Sequence, residues 1–237
     1  MCFSAPVSFA AAALLVPIGL RSLHLAWQSD RRLLGLAAFP LFFGVQQFIE
    51  GLLWLNLSGF HAQYTQASAL GFLFFVYLFW PICVPLAARA LEERPRPRRI
   101  LLATALFVGV LGTLLYLSLL FGDAQLQVSV VQNSILYQHR PLFDIQWGDW
   151  VVRTIYALVI TLPLLASAMP KLRIFGALIA LSLVLSAIYF DHAFTSVWCF
   201  FAAMLSMFVL QLIQTHSAGA SAGLISPPPL PSQASQP

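Results

Sequence analysis

Apolar residues run through this chain in long blocks, separated by short polar or charged breaks. An α-helix needs about 20 predominantly apolar residues to cross the hydrocarbon core of a bilayer. Seven such blocks are predicted, at about 4–27, 33–57, 66–88, 100–121, 151–168, 174–190 and 193–214. No basic segment precedes the first block, and Arg21 comes only after its apolar run, so it reads as a span rather than a cleaved signal. Pro81 and Pro85 predict a bend in the third block, because each removes a backbone donor.

The connection at 122–149 is the one long loop, expected outside the cytoplasm. Leu126, Val128 and Val130 alternate there with Gln127 and Ser129, which is a strand pattern. Asn133 is placed to turn the chain into a second short strand at 135–138, making a small β-like lid between the fourth and fifth helices. Trp147 and Trp150 fall where an interfacial aromatic belt would lie. Residues 215–237 are uncharged apart from His216 and rich in Ser, Ala, Gly and Pro, and are expected to form a disordered cytoplasmic tail after a single domain at 1–214.

Composition fits this reading. The chain is 60% hydrophobic and 8% charged, against about 25% charged in soluble domains. The net charge of +4 therefore does not point to nucleic acid, because the basic residues sit in short loops. Of the twelve Lys and Arg, all but Arg140 and Arg153 fall on one side of the predicted spans. The positive-inside rule then places the N-terminus outside and the C-terminus in the cytoplasm. Cys2, Cys83 and Cys199 are too few and too scattered for a disulfide framework.

The candidate chemistry lies at 43–54, where Gln46, Gln47 and Glu50 interrupt an apolar span. An ionised carboxylate near mid-membrane costs on the order of 3 kcal/mol, so Glu50 is expected to face other helices or water. Spacings of three and four put the three side chains on one helix face. At 1.5 Å per residue, Glu50 lies roughly 10 Å below the outer end of its span. Cys2, Ser4, Asp191, His192, Ser196 and Cys199 fall in the same outer half.

Gln46, Gln47, Glu50, Trp54, Ser4 and Ser196 are the candidate ligand-binding residues. Glu50, His192, Asp191, Cys2 and Cys199 offer donors that suit a transition metal such as zinc. They lack the HxxxH, HExxH or CxxC spacing of dedicated sites, and Asp191 and His192 serve equally well as caps of a tight turn. Glu50 could exchange protons with the outer face, or bond a neighbouring helix as packing glue. Ser196 with His192 and Asp191 makes a poor triad, because sequence neighbours diverge by about 100° on a helix. Cys2, exposed if Met1 is removed, is a candidate nucleophile. His24 and His192 are separated by roughly 25 Å of bilayer and cannot share a haem iron.

The opening stretch from Met1 through Cys2, Phe3, Ser4 and Ala5, the QQxxEGxxW stretch from Gln46 to Trp54, and the segment 196–200 together resemble an uncharacterised family of bacterial integral membrane proteins. The resemblance covers the seven-span region and implies a multi-pass protein of the bacterial inner membrane, with no activity attached. The alkaline ceramidases share the N-outside seven-helix layout, but this chain lacks the paired His of their last helix.

The expected protein is thus an all-α, seven-helix membrane bundle with a buried polar site in its outer half. The site binds a small ligand, proton or metal in a sensor, binding or transport protein embedded in the lipid bilayer. The alternatives are a metal-dependent membrane hydrolase using Glu50, His192 and Asp191, and a structural subunit without chemistry.

Overall fold

The computed structural model describes residues 4–121, 126–131, 133–138, 148–190 and 194–225. Seven helices organise them: α1 (Ala5–Ser29), α2 (Arg31–Leu57), α3 (Ala62–Leu91), α4 (Pro95–Phe121), α5 (Gly148–Leu165), α6 (Pro170–Tyr189) and α7 (Phe194–Ser217). All but α5 are long and apolar enough to cross a membrane. The apolar part of α5 is the shorter stretch Arg153–Leu165. α4 begins at Pro95, earlier than the apolar block alone suggests. Proline suits a first helical turn, since its missing N–H has no intrahelical acceptor there. α7 loosens at Ser206 and Met207, then continues as helix to Ile225. The alanines at 218, 220 and 222 favour that extension into the expected tail. Residues 226–237 lie outside the described residues.

The bend expected in α3 is a wide π turn at Phe75–Phe79, immediately before Trp80 and Pro81. Pro81 has no N–H to give the carbonyl of Tyr77, one turn earlier. That carbonyl lies against α4 at Gly112, where a Cβ would overlap it. The residue without a side chain thus sits where the broken ladder of α3 needs room. α1 and α2 form the most extensive helix pair. A Cβ at Gly19 would overlap the backbone of Leu41, so glycine sets the closeness of that pair.

The basic connections gather at one end of the bundle. Arg32 bridges to Glu93 at 3.2 Å, joining the α1–α2 and α3–α4 connections. Arg94 donates to the carbonyl of Ala166 beyond α5 at 3.5 Å. Lys171, in the first turn of α6, is hydrogen-bonded to Thr215 of α7. Glu92 accepts from the Arg94 backbone N–H at 2.9 Å and from Nε and Nη2 of its guanidinium, each at 2.8 Å. These bonds hold the Glu92 carboxyl down at about 2.

At the other end lies the expected lid. Strands β1 (Gln127–Val131) and β2 (Ser134–Gln138) pair antiparallel, with Val131 opposite Ser134. Asn133 turns the chain with a φ of +58°, a conformation asparagine tolerates. Leu126 and Ile135 tuck into an apolar core with Leu53, Phe72, Leu73, Leu119 and Cys199. Tyr137 stacks on Phe72 with ring centres 5.3 Å apart. A larger core, around Leu15, Phe43, Trp80, Phe175 and Leu212, fills the rest of the bundle. Trp147 lies outside the described residues.

Candidate functional site

Glu50 of α2 is buried, 2% exposed. One carboxylate oxygen, Oε1, accepts from Ser196 Oγ of α7 at 2.6 Å. The other, Oε2, accepts from Gln47 Nε2 one turn earlier on α2 at 3.1 Å. Among the described residues no cation pairs with Glu50. The carboxylate thus sits in a low-dielectric interior with two neutral donors.

Gln46, Gln47 and Glu50 are all buried, as expected of the polar stripe. They divide between two neighbours, however. Gln46 turns toward α3, where its Oε1 accepts from Trp80 Nε1 at 2.7 Å. Adjacent helical residues diverge by about 100°, so Gln46 and Gln47 serve different partners while sharing the buried side of α2. Trp80 is fixed by stacking on Phe43 at 3.8 Å, with Phe39 edge-on at 5.5 Å.

Several buried side-chain polar atoms of the protein are left without a partner. Gln47 Oε1, Gln46 Nε2, Trp54 Nε1, Ser8 Oγ, Ser134 Oγ, Tyr137 OH and Trp198 Nε1 are buried without a partner among the described residues. Tyr137 and Cys199 are both near enough to Glu50 to feel its charge. Buried polar atoms are normally paired, with protein or with water.

The structure brings Gln46, Gln47, Glu50, Ser196 and Cys199 together, with Trp54 beside them at Val197. Ser4 instead begins α1, where its backbone carbonyl accepts from Val7 and Ser8. Ser8, one turn on, is fully buried, as is Ser22 further along the same helix. Cys2, Asp191 and His192 lie outside the described residues, so the proposed metal set is represented only by Glu50 and Cys199. Among the described residues no three of His, Cys, Asp and Glu come together. Tyr137 and Trp80 had no signal as site residues in the chain order, because a strand alternation and a helix position say nothing about a partner on another element.

Two cavities adjoin the site. The smaller, about 30 Å³, lies among Phe43, Trp80, Tyr156, Trp198 and Cys199, room for one or two waters. The larger, about 120 Å³, lies between α4 and α5, with Trp198 and Cys199 in its wall.

Helices long and apolar enough to span a bilayer, packed around an internal carboxylate, define a polytopic helical membrane protein. The chain belongs to the family of unknown function DUF6629, whose sequence profile matches residues 1–223. No curated protein matches it, and no solved structure matches it.

Proposed function

We propose that this protein has seven spans, with its basic connections in the cytoplasm, and holds a small polar ligand or a proton at Glu50 beneath the lid. One observation carries the reading. The buried carboxylate has two neutral donors, while Gln47 Oε1 of α2 and the hydroxyl of Tyr137 in the lid, both near it, are left without a partner among the described residues. Packing alone would be served by apolar side chains, at lower desolvation cost. The site would act in sensing, binding or transport. The basic end, tied together by Arg32, Arg94 and Lys171, supports the cytoplasmic assignment through the positive-inside rule.

The competing reading is structural. The Glu50–Ser196 and Gln46–Trp80 bonds join α2 to α7 and to α3, as polar glue in a membrane bundle does. Infrared difference spectroscopy of the reconstituted protein through a pH step separates the two, with protons as the probe. A carboxyl band that responds to external pH in the wild type and is lost in Glu50→Gln supports the exchange site. A Glu50 band indifferent to pH, with normal folding of Glu50→Gln, leaves the structural reading. Labelling of intact cells with a membrane-impermeant maleimide tests orientation, in a background without native cysteines. Ser58→Cys should react and Arg173→Cys should not.

A further inference from the structure

Two strands alone make a marginal structure in water, so the β1–β2 hairpin keeps its place through what its side chains bury. Leu126 and Ile135 enter the apolar core that also holds Leu53 of α2, Phe72 of α3 and Cys199 of α7. β1 packs on α3 and β2 on α7. Gln127, Ser129 and Val130 of β1 are exposed, so β2 is the inward strand.

Leu53 comes three residues after Glu50, and Cys199 three after Ser196, close to one helical turn in each case. The hairpin therefore shares its core with positions one turn from both partners of the Glu50–Ser196 bond. Tyr137 is half-buried, with its ring stacked on Phe72 and its hydroxyl turned into the interior near Glu50 and Cys199.

Closure of the hairpin is opposed as well as favoured. Ser134 Oγ and Tyr137 OH are buried without a partner among the described residues. Each regains hydrogen bonds to water when the hairpin lifts. Leu126, Ile135 and the Tyr137 ring pull the other way, because lifting returns apolar surface to water. A cover that never moves gains nothing from two unsatisfied hydroxyls. In a cover that opens, they bring the closed and open states closer in free energy.

We propose that the β1–β2 hairpin is a gate over Glu50 and Cys199, closed in this structure and opened by outward movement of β2 to admit a proton or small polar ligand from the lid side. What it admits rests on the reading of Glu50 as an exchange site; the movement itself is tested without it.

Cys199 is the native reporter, a free thiol buried in the core that the hairpin closes. The test uses full-length protein in lipid nanodiscs, with Cys2 and Cys83 replaced by alanine. A small membrane-impermeant methanethiosulfonate is added, and the rate of Cys199 modification is read by mass spectrometry. Ile135→Ala and Tyr137→Ala remove apolar anchors and should speed modification several-fold. Tyr137→Phe and Ser134→Ala remove the unpaired hydroxyls and should slow it several-fold. Loosening of the whole bundle cannot slow modification, so the second pair separates gating from damage. Equal rates across the four variants, or faster modification in Tyr137→Phe, would overturn the gate. The infrared response of Glu50 to pH keeps the two readings apart. A responsive Glu50 band with modification indifferent to the hairpin variants refutes the gate and leaves the exchange site standing. The expected shifts in modification beside an unresponsive Glu50 band support the gate and refute exchange at Glu50.

Discussion

Ser196→Ala is the sharpest test of the buried site. The hydroxyl donates to Glu50 Oε1 at 2.6 Å, and both residues are at most 2% exposed. Removing it leaves a buried acceptor oxygen without that donor, which costs about 1–3 kcal/mol in soluble proteins. Interhelical bonds in a membrane bundle average about 0.6 kcal/mol and reach about 1.7. The short length and full burial place this bond at the upper end, so a loss of about 1–2 kcal/mol is expected. The assay is SDS-driven unfolding in mixed micelles, followed by circular dichroism. A cycle with Glu50→Leu isolates the bond. With no carboxylate left, the Ser196 hydroxyl turns back to its own helix, and Ser196→Ala should then cost close to nothing. The coupling between the two positions is therefore about 1–2 kcal/mol. An equal cost of Ser196→Ala in both backgrounds would refute the reasoning, since the serine would then matter for something other than Glu50.

Three further outcomes are expected. Gly19→Ala should lower the thermal midpoint markedly, because its Cβ meets the Leu41 backbone rather than a mobile side chain; overpacking costs about 1–3 kcal/mol, and a wild-type midpoint would contradict the close α1–α2 contact. The Glu92 carboxyl, held at about 2 by Arg94, contributes stability that is fully present above its ordinary value near 4.5. That contribution is lost as pH falls toward 2, so the stability gap between wild type and Glu92→Gln should close over this acid range and stay constant above it. Tyr137→Ala removes the stack on Phe72, worth about 0.5–1.5 kcal/mol beyond its buried area; hydrogen exchange across 127–138 should quicken about tenfold with the helices unchanged, and unaltered exchange would mean that Tyr137 does not hold the lid.

Much of the fold was legible in order along the chain. Helices inside a bilayer satisfy their own backbone groups, so apolar length alone announces them. The alternation after residue 126 announced two strands, and Asn133 the turn between them. Glu50 had to be buried among helices because lipid offers a carboxylate nothing. Boundaries shifted where local chemistry outweighed apolarity, as at Pro95, where proline starts α4 inside the basic segment.

What the tertiary structure decided is which group meets which. Ser196 is 146 residues from Glu50, and no spacing rule connects them. Gln46 left its neighbour for Trp80, and at the start of α1 it is Ser8 rather than Ser4 that is buried. The larger cavity exists because α4 leans on α3 and not on α5. Lipid chains are as apolar as leucine, so hydrophobicity alone selects no helix partner within a membrane. That selection falls to close contacts such as Gly19 against Leu41 and to a few buried hydrogen bonds, which exist only once distant segments are side by side.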